Sequence, residues 1–148
     1  MIFNEILKKK FSMISSKAAA ATYKHIGKKN KELADKAAVD AMRNEINKLS
    51  IDGEIVIGEG ELDEAPMLYV GEKVGNGKGI QIDIAVDPVE GTNFVANNLP
   101  GGLSVIAFAK KGDLFKSPET YMDKIAVGSD VPDDCIDLDN SVKVNINN

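Results

Sequence analysis

Ile80-Gln81-Ile82-Asp83-Ile84-Ala85-Val86-Asp87-Pro88-Val89-Glu90-Gly91-Thr92 holds a strand and its abrupt end. Ile80 to Val86 has the β-branched, apolar composition of a buried strand, and Pro88, which has no N–H to give to a ladder, is expected to stop it. The hexapeptide Asp87 to Thr92 is more informative than its parts. Proline fixes the backbone after Asp87, so Glu90, three residues on, folds back beside it. Gly91 lets the chain approach a ligand closely, and Thr92 places a hydroxyl next to it. Two carboxylates about 4 Å apart repel by roughly 4 kcal/mol at the effective dielectric near a protein surface. A hard divalent cation relieves that repulsion and creates an anion site at once. The competing reading of the same residues is an acidic turn that starts a helix.

Upstream, Glu54-Ile55-Val56-Ile57-Gly58-Glu59 reads as a second strand after an Ile51-Asp52-Gly53 turn. Alternation puts Glu59 on the face of Ile55 and Ile57, at the strand's end. Before it, Val39, Met42, Ile46 and Leu49 form a helical stripe that begins beyond the turn Lys28-Lys29-Asn30-Lys31. One turn backward, the stripe lands on Asp35, whose alternative role is a helix cap, although Asn30 already suits that position. A first helix is expected from about Phe3 to Tyr23, ending near Gly27. Carboxylates are almost never buried without a positive partner, so Asp35, Glu59, Asp87 and Glu90 together ask for one.

Between the two strands, Pro66 is expected to open a helix through Met67, Leu68, Tyr69, Val70 and Lys73, closed by Gly75. Downstream, Leu103 to Ala109 reads as a strand with a turn at Lys111-Gly112-Asp113. Past Gly128 the pattern fades into an acidic loop and an Asn-rich tail. No internal repeat or linker divides the chain, so a single domain over 1–148 is expected. Its class is α+β, a helix pair packed on a mixed sheet.

Composition narrows the chemistry. With 23 acidic and 18 basic residues the net charge is -5, which opposes attraction to nucleic acid or an anionic membrane. Lys8-Lys9-Lys10 lies on a helical stripe and reads as a solvated face. No apolar stretch has spanning length and Lys17 interrupts a signal-like run, so a cytoplasmic location is expected. The lone Cys135 and lone His25 disfavour disulfide and zinc chemistry, leaving oxygen ligands for any metal.

Asp35 to Asn44, Ile51-Asp52-Gly53 through Gly58-Glu59-Gly60-Glu61, Asp63-Glu64-Ala65-Pro66-Met67 and Asp83 to Thr92 closely resemble class II fructose-1,6-bisphosphatases, within the lithium-sensitive phosphatase superfamily. The likeness continues past Tyr121-Met122-Asp123-Lys124 to about Leu138. It implies a layered α/β sugar-phosphatase fold. It also implies hydrolysis of the 1-phosphate of fructose 1,6-bisphosphate, a step of gluconeogenesis linked to glycerol metabolism. By the same resemblance Asp35 and Glu59 bind one ion, Asp87 and Glu90 another, and the ions are Mn2+ or Mg2+, two or more. Glu90, Gly91, Thr92 and Tyr121 would contact the substrate, and Lys31, Glu61, Asp63 and Thr92 would serve the chemistry. Full-length members are expected to be homo-oligomers.

The chain departs from the family in length, and is expected to be an N-terminal half whose C-terminal half is absent. Lys28-Lys29-Asn30 replaces a more usual Gly-rich basic turn, and Asn93-Phe94-Val95 an ordinary continuation. Two other readings follow: a remnant with residual metal binding, or a phosphatase for another sugar or polyol phosphate.

Overall fold

Asn4 and Asn30 start the two long helices. In the computed structural model, which describes residues 3–59, 67–116, 122–132 and 134–147, Asn4 Oδ1 accepts from Leu7 N at 2.8 Å and Asn30 Oδ1 from Leu33 N at 3.0 Å. Each thereby satisfies an orphan donor of a first turn. Helix α1 runs Glu5–Thr22 and α2 Lys31–Ile46. They face each other through Phe11, Ile14 and Ala18 of α1 and Ala38, Val39, Met42 and Ile46 of α2, all buried in one cluster. Full burial of a side chain such as Met42 contributes roughly 2 kcal/mol. Lys17 of α1 bridges to Glu45 of α2 at 2.6 Å on the solvent side.

Among the described residues four strands form a mixed sheet of order β2-β1-β3-β4: β1 Ile51–Ile57, β2 Lys73–Val74, β3 Ile80–Glu90 and β4 Leu103–Lys110. The central pair, β1 with β3, is parallel; the outer pairings are antiparallel. Ile51 and Ile55 of β1 and Ile82, Ile84 and Val86 of β3 join the helix cluster, and Phe11 stacks on Phe108 of β4 with ring centroids 3.6 Å apart. The result is the expected α+β layering. All of this lies in one compact unit, Met1–Ser117.

Four local expectations are corrected. Ile51-Asp52-Gly53 is strand, not turn: a Cβ at Gly53 would stand 3.1 Å from Val74 O and 2.9 Å from Ile84 Cδ1, so the glycine serves close strand approach. Residues 67–72 are not helical and lead into β2, because they pair with the end of β1; Pro66 lies outside the described residues. Pro88 does not stop β3, which continues to Glu90. The register shifts between Asp87 and Glu90, and a bulge tolerates the missing N–H. A second shift, between Ile55 and Ile57, breaks the alternation that was to align Glu59 with them. Gly91 and the short α3, Thr92–Ala96, follow β3 directly.

The second unit is Pro118–Asn148. Its tail carries a short helix, α4 Val142–Asn147, where a featureless tail was expected. Asn145 anchors it, accepting from Asp137 N at 3.1 Å and donating to Asp137 O at 2.8 Å. Among the described residues no helix is long and apolar enough to cross a membrane.

Candidate metal centre

Because β1 and β3 are parallel, their C-terminal ends emerge at the same sheet edge. Glu59 lies two residues past the end of β1, and Asp87 and Glu90 lie on the last turns of the ladder in β3. Residues 47–50 reverse the chain between α2 and β1, which returns the beginning of α2 to that edge. Asp35 sits there in the helix interior; Asn30 is the cap, so the capping alternative for Asp35 falls.

Asp35 and Asp87 are half-buried, and Oδ1 of each is fully buried without a hydrogen bond. Burial pushes the Asp35 carboxyl up. Asp87 is pushed up to about 6, first by burial, then by hydrogen bonding and charge contact with Glu90 and repulsion from Asp35, while a hydrogen bond to Glu59 pulls the other way. Asp87 therefore senses each of the other three acids expected to bind metal. Carboxylates crowded in this way either hold protons or require a cation.

Among the described residues, no group of three or more acidic, histidine or cysteine side chains is closed up ready to hold an ion. The fit to a hard cation rests instead on the orphaned oxygens of Asp35 and Asp87 and on an all-oxygen, anionic donor set. Asp35, Glu59, Asp87 and Glu90 would hold it.

Gly91 adopts φ +81°, and a Cβ there would lie 2.7 Å from the Phe94 ring, so another residue would be both strained and crowded. Phe94 N donates to Gly91 O at 2.8 Å, which turns the chain into α3 and leaves half-buried Thr92 two residues after Glu90. Lys31 is the exposed first residue of α2, one turn before Asp35. It lines a groove of about 290 Å³ with Lys29, Asn30, Glu32, Asn93, Ala96 and Asn97. Glu61, Asp63 and Tyr121 lie outside the described residues.

The two segments expected from the sequence to depart from the family, 28–30 and 93–95, meet in that groove through Lys29, Asn30 and Asn93. Lys29 has φ +60°, donates its backbone N–H to Ala96 O at 2.9 Å and its ammonium to Asn97 Oδ1 at 2.8 Å. A position favouring glycine is thus held by contacts to the end of α3. Sequence reasoning did not single out Arg43, which bonds the limb after Glu59; its partners are far off in sequence and carry no local signal.

A family model described as bacterial fructose-1,6-bisphosphatase, glpX-encoded, matches residues 5–148. The chain belongs to this family. The match runs on to Asn148, past the Leu138 at which the sequence resemblance was expected to stop. Among relatives, "Fructose-1,6-bisphosphatase 1 class 2" of Escherichia coli (strain K12) is 53% identical over 118 residues, covering 80% of this chain and 35% of the relative. "Fructose-1,6-bisphosphatase class 2" of Haemophilus influenzae is 50% identical over 128 residues, 86% of this chain and 38% of the relative. "D-fructose 1,6-bisphosphatase class 2/sedoheptulose 1,7-bisphosphatase" of Prochlorococcus marinus (strain AS9601) is 50% identical over 123 residues, 83% and 37%. The chain spans little more than a third of the length of these bisphosphatases.

Proposed function

We propose that this chain is the metal-binding part of a fructose-1,6-bisphosphatase that hydrolyses the 1-phosphate of fructose 1,6-bisphosphate, giving fructose 6-phosphate and phosphate. The observation that carries the reading is the group of acids around Asp87, pushed up to about 6 in a chain of this family. Asp35 and Glu59 would hold one Mn2+ or Mg2+ and Asp87 and Glu90 a second. When bound, such ions acidify water near neutral pH and stabilise charge developing on the leaving sugar oxygen. Glu90, Gly91 and Thr92 line the place where the phosphate would sit. Thr92, two residues after Glu90, would orient the attacking water. Lys31, Glu61, Asp63 and Tyr121 belong to the same reading as flanking groups. A cytoplasmic homo-oligomer is part of it.

The direct test is phosphate release from fructose 1,6-bisphosphate with Mn2+ or Mg2+, alongside calorimetry of Mn2+ uptake. Metal-dependent release is expected from the chain completed to the length of its relatives. No uptake and no release would defeat the reading; uptake without release would leave the remnant. Thr92→Ala is expected to lower turnover about 100-fold while Mn2+ affinity changes less than about threefold, and equal losses would remove Thr92 from the chemistry. The Prochlorococcus relatives favour sedoheptulose 1,7-bisphosphate as a second substrate, to be assayed in parallel.

A further inference from the structure

Arg43 lies two turns beyond Asp35 on α2 and is three-quarters covered. Its Nε donates to Glu72 Oε1 at 2.7 Å and its Nη2 to Glu72 Oε2 at 3.0 Å, a bidentate pair, and Nη2 also donates to Met67 O. One guanidinium therefore grips both ends of the limb 67–72. That limb is stitched to the end of β1: Ile55 N donates to Glu72 O at 2.9 Å, Gly71 N to Ile55 O at 2.7 Å, and Glu59 N to Leu68 O at 3.0 Å. The approach is tight. A Cβ at Gly58 would stand 2.2 Å from Leu68 O, so no side chain fits immediately before Glu59.

We propose that the Arg43–Glu72 pair is a positioning device for the first metal, tying the limb that fixes the Glu59 backbone to the helix that carries Asp35. The inference rests on the metal reading above. The two acids come from separate elements, and this clamp spans the elements directly. Arginine suits the task because its planar fork meets a carboxylate and a carbonyl together, whereas lysine brings a single point charge. Groups that orient metal ligands affect affinity typically ten- to hundred-fold when lost.

The test measures Mn2+ dissociation constants by calorimetry and unfolding in EDTA for the chain and for Arg43→Lys, Glu72→Gln and the exchanged pair Arg43→Glu with Glu72→Arg. Lys73→Met, which breaks a different ion pair of the sheet, serves as control. Arg43→Lys and Glu72→Gln are expected to stay folded in EDTA and to bind Mn2+ about tenfold more weakly. The exchanged pair is expected to regain part of the loss, and Lys73→Met to bind as the parent does. A shifted unfolding midpoint with Mn2+ affinity held within twofold in Arg43→Lys and Glu72→Gln overturns the proposal. Weakening by Lys73→Met as large as theirs does so too. Absence of Mn2+ uptake by the parent chain overturns the metal reading itself and the clamp's purpose with it.

Discussion

Midway along β1 and β3, Glu54 and Asp83 sit among lysines, whereas at the end of β3 Asp87 and Glu90 face other acids. Glu54 meets Lys111 at 2.5 Å, Lys73 at 2.8 Å and Lys116 at 3.4 Å. Hydrogen bonds from Lys111 and then Lys73 hold its carboxyl down at about 2. Asp83, 1% exposed, accepts from Gly112 N at 2.7 Å, and its other oxygen, without an aligned hydrogen bond, still lies 3.2 Å from the Lys111 ammonium. Asp87, four residues along the same strand, is instead pushed up to about 6. The chain supplies cations where acids brace the sheet. At the strand ends, among the described residues, no lysine or arginine pairs with Asp35, Asp87 or Glu90, and that charge is left to come from outside.

The contrast can be broken at either end. Asp87→Asn should weaken Mn2+ binding by at least about 100-fold in calorimetry, while raising the midpoint of unfolding in EDTA because a repelled charge is gone. A lower midpoint would mean that Asp87 is braced like Asp83. Next in size, Lys111→Met leaves the buried Asp83 carboxylate without its countercharge and should cost about 2 kcal/mol in urea unfolding; a loss under about 0.5 kcal/mol would deny the bracing role.

The pH dependence separates the two groups by sign. Asp87 rises from its ordinary 3.8 to about 6 on folding, so the folded metal-free chain binds the proton more tightly. Its contribution to stability declines as pH rises from about 4 to about 6. Glu54 falls from 4.5 to about 2, so its contribution is complete above about 4.5 and is lost as pH falls through about 2. Urea titrations in EDTA across this range should show the high-pH decline shrink in Asp87→Asn to the part that Asp35, also pushed up by burial, contributes, and the low-pH decline shrink in Glu54→Gln. Smallest of all, Lys73→Met should cost under about 0.5 kcal/mol, since an exposed ion pair is weak and Glu54 keeps Lys111 and Lys116. A larger loss would make the lysines around Glu54 interdependent.

Much of this was legible along the chain because the signals are local. The spacing of Val39, Met42 and Ile46 marks a buried helix face, Asn30 a cap, and the β-branched run from Ile80 a central strand, and all are found so; Leu49, read as the end of the same stripe, is buried but lies beyond the helix, which ends at Ile46. The acids stood out because they interrupt those apolar patterns. What was misread depends on partners distant in sequence. Met67, Leu68 and Val70 have helix-compatible spacing, yet the limb is held out of a helix, through a turn from Tyr69 to Glu72, by Ile55, Glu59 and Arg43. Gly53 resembles a turn residue until Val74 and Ile84 press on it. Pro88 is a strand breaker only where the ladder needs its N–H, and a bulge removes that need. The five-residue α3 is too short to leave a periodic trace.

The parallel pairing of β1 with β3 has a consequence for how the acids meet. Ile55 aligns with Ile84, 29 positions later in the chain, so Glu59 and Asp87 become neighbours through a long-range contact that local structure cannot supply. An unfolded or half-formed chain offers scattered carboxylates of little use to an ion. On the proposed metal reading, a divalent ion would reward the completed sheet over every earlier stage and so act as a thermodynamic latch on the finished topology.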